Sequence, residues 1–311
     1  MKLTAIILGI LCILPCLGEV LEYDNIYLEY QGEDGRIAAE LGKRLAKEIG
    51  DFQKKTGHYP ELETHIIIAA NREEYKTFLQ KGVEIQEFSQ AFYKRSTNTI
   101  YIRNPHDNLR YDTLSKILLH EYIHSFVYHY FINAPLWFHE GMAVYFSNDF
   151  SHNRELGLAR DYLFGNTLPL SQMRKSYPEN RIEWESFYAK SALAVRYLFQ
   201  NKPGQFYQLW QVARPSSKFN AAFLKSFKYT PLDFSIYFEE YCETHFRSEI
   251  ILALSGMIWL LFPFLFIIGY FRRRQKAKKQ LAAMEKEDEE ESEFGEVYAN
   301  KLFENGVDVE E

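Results

Sequence analysis

From Ile250 to Phe271 the chain reads IILALSGMIWLLFPFLFIIGYF without a single charge, and RRRQKAKK follows at once from Arg272 to Lys279. About 20 apolar helical residues cross a bilayer core, and a basic cluster directly behind such a run opposes translocation. A transmembrane helix is therefore expected over 250–271. Gly256, Trp259 and Pro263 fit it, because helices in lipid tolerate Gly and Pro better than soluble ones do. The basic side is expected in the cytoplasm, leaving the N-terminal part of the chain extracytoplasmic, at the periplasmic or outer face.

At the other end, MKLTAIILGILCILPCLGEV pairs Lys2 with a short apolar stretch and small residues near Gly18, the layout of a secretory signal. Residues 1–18 are expected to be a signal peptide, 19–249 an exported domain, 250–271 the membrane helix, and 272–311 a basic then acidic cytoplasmic tail. The block EKEDEEESE (Glu285–Glu293) accounts for most of the net charge of -6 and should be solvated. No strong basic patch marks the exported region, so nucleic acid is not an expected partner. Once the leader is removed, that region keeps one cysteine, Cys242, which rules out an intramolecular disulfide.

The hydrophobic fraction of 47% suffices for a core. Asn25–Gly32 reads as a strand, and Arg36–Lys55 as an amphipathic helix with Ile37, Leu41, Leu45, Ile49 and Phe52 on one face. Thr64–Ala70 suits a buried strand, and NREEYKTFL a capped helix after it. Ala91–Tyr93 and Thr99–Ile102 form a hairpin around a polar turn with Ser96 and Asn98. Helical periodicity then dominates over Leu114–Tyr130, Leu136–Phe146, Ala189–Phe199, Gln205–Val212 and Leu232–His245. The fold class is α+β, a mixed sheet followed by a helical half.

Within DTLSKILLHEYIHSFVYHYF, where Asp112 or Thr113 should start a helix, His120 and His124 lie one turn apart on one face. Two imidazoles so placed can reach one zinc ion, which binds such nitrogens at about 2.0–2.1 Å and takes a third protein ligand plus water when catalytic. Glu121 flanks them, where a carboxylate can act as a base without ligating the metal. The segment APLWFHEGMAVYF offers the third ligand: Asn133 and Pro135 break the first helix, and Glu140 on the next can face back.

The two segments together resemble the gluzincin metallopeptidases, and LWFHEGMA is similar to the part of the aminopeptidase N family, and of its smaller peptidase MA-like relatives, that carries their third zinc ligand. The resemblance implies a zincin-like domain, one Zn2+ per chain held by His120, His124 and Glu140, and Glu121 as catalytic base. Relatives also carry a Tyr after the third ligand as oxyanion donor. Tyr188 is the matching candidate, with core packing as its other reading, and Tyr145 is a weaker one. His129 and His139 are expected to point away from the ligands.

The aminopeptidases grip a substrate amino terminus with the Glu of a Gly-x-Met-Glu-Asn strand. The hairpin SQAFYKRSTNTIYI lacks that Glu, so the resemblance implies an endopeptidase acting on peptides or proteins, bound by strand addition at the hairpin. Its rival is a non-catalytic zinc-stabilised binding module of the cell envelope, which would need the ligands but no base. A signalling receptor using the acidic tail has less support.

Overall fold

The structure is a computed structural model that describes residues 18–79, 89–104, 110–180 and 183–304. The expected leader lies, apart from Gly18, outside the described residues. Two compact units divide the chain, Met1–Phe246 and Arg247–Glu311.

The first unit opens with a five-stranded mixed sheet. Its strands are β1 (Glu19–Tyr23), β2 (Ile26–Tyr30), β3 (Thr64–Ile68), β4 (Ala91–Lys94) and β5 (Thr99–Ile102), in the order β1-β2-β3-β5-β4. The two outer pairs are antiparallel and the inner two parallel. Strand β1, which the sequence reading missed, is largely exposed and has little apolar alternation to betray it.

Helix α1 (Gly35–Thr56) is the crossover between β2 and β3, and all five residues expected on its inner face are buried. It ends at Gly57, whose φ of 65° caps the helix through a bond from its N–H to Gln53 O. Only a residue without a Cβ adopts that conformation freely. Asn71 caps α2 (Arg72–Phe78) by accepting from the Glu73 and Glu74 N–H groups at 3.0 and 2.9 Å. The β4–β5 hairpin turns through Asn98, with φ of 51°, and leaves β4 on the sheet edge.

The helical half follows as α3 (Tyr111–Tyr130), α4 (Leu136–Phe146), α5 (His152–Leu163), α6 (Glu183–Asn201), α7 (Pro203–Val212), α8 (Phe219–Phe227) and α9 (Pro231–Glu304), with a two-stranded ladder of β6 (Phe131–Ile132) and β7 (Ser217–Lys218). Helix α3 starts one residue earlier than expected, with Arg110 at its N-cap and Asp112 inside its first turn. A carboxylate there complements the exposed N–H groups of the helix, and Asp112 also pairs with Arg44 of α1. Asn133, with φ of 58°, separates α3 from α4.

Every α4 residue from Trp137 to Val144 is buried. At Gly141 a Cβ would come within 2.2 Å of Ser191 O on α6, so this helix crossing requires glycine. An aromatic cluster of Phe126, Phe131, Phe138, Trp210 and Phe219 locks α3, α4, α7 and α8 together, each ring contributing on the order of 1.5–3 kcal/mol through burial.

In the second unit α9 runs through the expected span, and the apolar side chains of Trp259 and of residues 261–271 are exposed. The side chains of 249–258 and 260 lie outside the described ones. Among the described residues no helix is long and apolar enough to cross a membrane. The transmembrane part of the expected fold is thus not supported by the structure, while the mixed sheet followed by helices is.

Candidate metal centre

Helix α3 carries His120 and His124 at one turn's separation, and their Nε2 atoms lie 3.1 Å apart. Glu140 reaches them from α4, with Oε2 at 3.8 Å from His120 Nε2 and 3.7 Å from His124 Nε2. Bonds of 2.0–2.2 Å in a tetrahedral arrangement separate ligand atoms by about 3.3–3.5 Å, and the triangle of 3.1, 3.7 and 3.8 Å brackets that spacing. The three side chains form a group that could hold a metal ion. Two imidazoles and a carboxylate are a donor set that suits zinc.

The protonation states agree with this. Burial pushes both histidines below their ordinary pKa, and for His120 the neighbouring His124 and Arg154 act the same way. Neutral imidazoles are the form that binds metal.

Glu140 is buried, and its second oxygen accepts a hydrogen bond from Tyr177 Oη at 2.5 Å. Burial first, and then the Glu140 charge, hold the Tyr177 phenol protonated, so it remains a donor. Tyr177 thereby ties down one carboxylate oxygen and leaves the other facing the histidines, the kind of outer partner that fixes a metal ligand. Tyr177 escaped the sequence reading because it lies on the irregular segment between α5 and α6. Its only local signal is the neighbouring Pro178.

Glu121 is also buried, and it accepts the Tyr93 N–H of β4 at 2.8 Å. Burial raises its pKa to about 8, the Tyr93 bond opposes that rise, and the Glu140 charge adds to it. A bound dication would pull the value back down. Glu121 therefore stands beside the triad without being one of the three converging groups.

These residues line a cavity of about 280 Å³ bounded by Phe92, Tyr93, Tyr128, Arg154, Tyr177 and Tyr188. Tyr188 enters from the second turn of α6, its ring centre 6.3 Å from that of Tyr177. Burial, followed by the charges of Glu140 and Glu121, raises its pKa, which keeps its hydroxyl a proton donor. Tyr145 does not line the cavity and meets Gln200 at 3.5 Å instead. His129 is exposed, as expected.

His139 is not one of the three converging groups. It is buried, lines the cavity, and stacks on Tyr128 with ring centres 4.0 Å apart. Helical spacing turns it away from Glu140, but α4 is enclosed on all sides, so turning away does not lead to solvent. Arg154 of α5, also missed, brings a cation to the cavity wall and pairs with Asp149 at 3.0 Å and Glu185 at 3.4 Å. No family model and no curated protein matches the chain.

Proposed function

We propose that the chain is a membrane-anchored, zinc-dependent endopeptidase of gluzincin type, with a zincin-like catalytic domain outside the cytoplasm. The observation that carries the reading is the convergence of His120, His124 and Glu140 with an independent buried carboxylate, Glu121, in one cavity along an edge strand. A purely structural metal site needs no such carboxylate.

When bound, zinc supplies Lewis acidity that polarises a peptide carbonyl and makes water easier to deprotonate. The residues do the rest. Glu121 takes the proton of the attacking water at a carboxylate oxygen and passes it to the leaving amine. Tyr188, a protonated phenol that lines the same cavity, and the Arg154 cation would stabilise the oxyanion.

Substrate would lie along β4. Gln90 O accepts from Arg103 N at 2.9 Å, and antiparallel alternation then turns the backbone groups of Ala91 and Tyr93 away from β5. Glu121 occupies the Tyr93 N–H, so the Tyr93 carbonyl and the Ala91 N–H face an incoming extended chain. Recognition of this kind reads backbone before side chains.

Anchoring rests on the uncharged run Ile250–Phe271 and the basic cluster behind it. The combined test is metal analysis of the full chain with a peptide-library cleavage assay on the wild type and Glu121→Gln. The variant should keep about one zinc and lose about 100- to 10,000-fold in rate. Cleavage by the variant at the wild-type rate would refute the mechanism, and a wild type that binds zinc but cleaves nothing would leave a binding module.

A further inference from the structure

Helix α5 buries Leu158 and carries a second apolar stripe on its solvent-facing side. Three of its charged residues pair with the protein: Glu155 with Arg196 of α6, its Oε2 at 2.9 Å from Nη1, Arg154 with Asp149 and Glu185, and Asp161 by accepting from Ser186. Leu158 is buried, but Leu156 is 52%, Leu163 58% and the following Phe164 71% exposed. These three fall at i, i+7 and i+8, on one helical face. Arg160 shares that face at i+4 and is well exposed, with its guanidinium held by Asp161 at 2.8 Å. A surface helix in water turns its apolar stripe to the core, and a second apolar stripe left exposed in this way marks a surface for a partner or a membrane.

Its position says which. Tyr162 packs on Phe246 with ring centres 5.0 Å apart and donates to Glu239 at 2.9 Å, which fixes the last turn of α5 against the first part of α9. Phe246 precedes Ile250 by four residues, a stretch that spans at most about 14 Å however the chain runs. Leu163 and Phe164 follow Tyr162 directly, so the chain itself limits how far they can lie from the start of the proposed membrane span.

Resting on that proposed span, we infer that the outer face of α5 docks on the lipid surface, with Leu156, Leu163 and Phe164 at the level of the headgroups and upper acyl chains. Arg160 meets lipid phosphate while its methylenes stay in the apolar layer, as interfacial helices arrange their basic residues. The same helix brings Arg154 to the cavity ten residues before Phe164, about 15 Å along the axis. The cavity is thus held near the membrane, and its substrate class is polypeptide attached to that membrane and cut close to its surface.

The test uses the full chain, with Cys12 and Cys16 replaced by serine, inserted in vesicles of equal phosphatidylethanolamine and phosphatidylglycerol. A polarity-sensitive dye is attached to Leu156→Cys, Phe164→Cys or, as control, Lys47→Cys on α1, each checked for unchanged thermal unfolding. Nitroxide-labelled lipid should quench the dye at 156 and 164 several-fold more than at 47. Equal quenching at all three sites, in a chain that resists carbonate extraction, overturns the docking and leaves the anchor standing. A chain released by carbonate overturns both. Crosslinking between copies through 164 without lipid quenching assigns the face to a second copy and overturns the lipid assignment.

Discussion

Replacing Tyr177 by phenylalanine removes one oxygen atom and leaves the ring among its neighbours, including Phe187 and Trp184. The lost bond is the one donated to Glu140 Oε1 at 2.5 Å. Glu140 is only 2% exposed, so water does not readily take the hydroxyl's place. A hydrogen bond to a charged group contributes about 1.5–3 kcal/mol, which corresponds to roughly 10- to 150-fold in metal affinity if the whole loss falls on the ligand. Outer partners of metal ligands commonly cost about 10- to 100-fold when removed, the same range. Competition between the full chain and a zinc-binding dye reads this directly. Tyr188→Phe is the control: it borders the same cavity, but its hydroxyl has no hydrogen-bond partner among the described residues, and affinity should not change. Wild-type affinity in Tyr177→Phe, or an equal loss in Tyr188→Phe, would refute the positioning argument.

Removing a ligand outright should do more, so His124→Ala and Glu140→Ala are each expected to lower zinc occupancy below one per chain, checked by metal analysis after dialysis; full occupancy in both would end the ligand assignment. Gly141→Ala must push α4 away from Ser191 O and the Val195 side chain and should cost about 1–3 kcal/mol as an overpacked contact, visible as a lower thermal midpoint. Acid should weaken the fold partly through Glu155, whose pKa the Arg196 hydrogen bond holds below its ordinary 4.5. A lowered carboxyl pKa gives stability that is fully present above the unfolded value and is lost as pH falls through the folded one. Denaturant titrations of Glu155→Gln should therefore show a shallower loss below about pH 4.5 than the wild type.

The parts of this fold that could be read in advance are those whose chemistry repeats along the chain. His120 and His124 are one helical turn apart whatever surrounds them, and the inner face of α1 and the β4–β5 hairpin follow from periodicity and turn residues. Tyr177 reaches Glu140 across 37 positions, and no local pattern encodes such a contact. His139 was expected to turn away from Glu140, and the rule that neighbouring helical residues diverge says nothing about burial on a helix with no solvent side. Helix α5 went unseen for a different reason. Ion pairs hold much of its inward face, and its apolar residues are divided between buried Leu158 and exposed Leu156 and Leu163, so no single apolar face shows the helical period.

The crossing at Gly141 bears on how the cavity can change shape. Glu140 on α4 and Tyr188 on α6 belong to helices pressed backbone against side chain at that glycine, with Ser191 O and Val195 too close for even a methyl group between them. Two such helices cannot slide past one another by small steps, because any translation drives Val195 or the Ser191 carbonyl into the α4 backbone. One wall of the cavity therefore behaves as a single rigid piece carrying the Glu140 carboxylate, the third of the groups that could hold a metal ion, and the Tyr188 phenol at a set spacing. Any change in the shape of the cavity therefore falls to the other elements that line it, among them β4, which pairs with a strand on one side only.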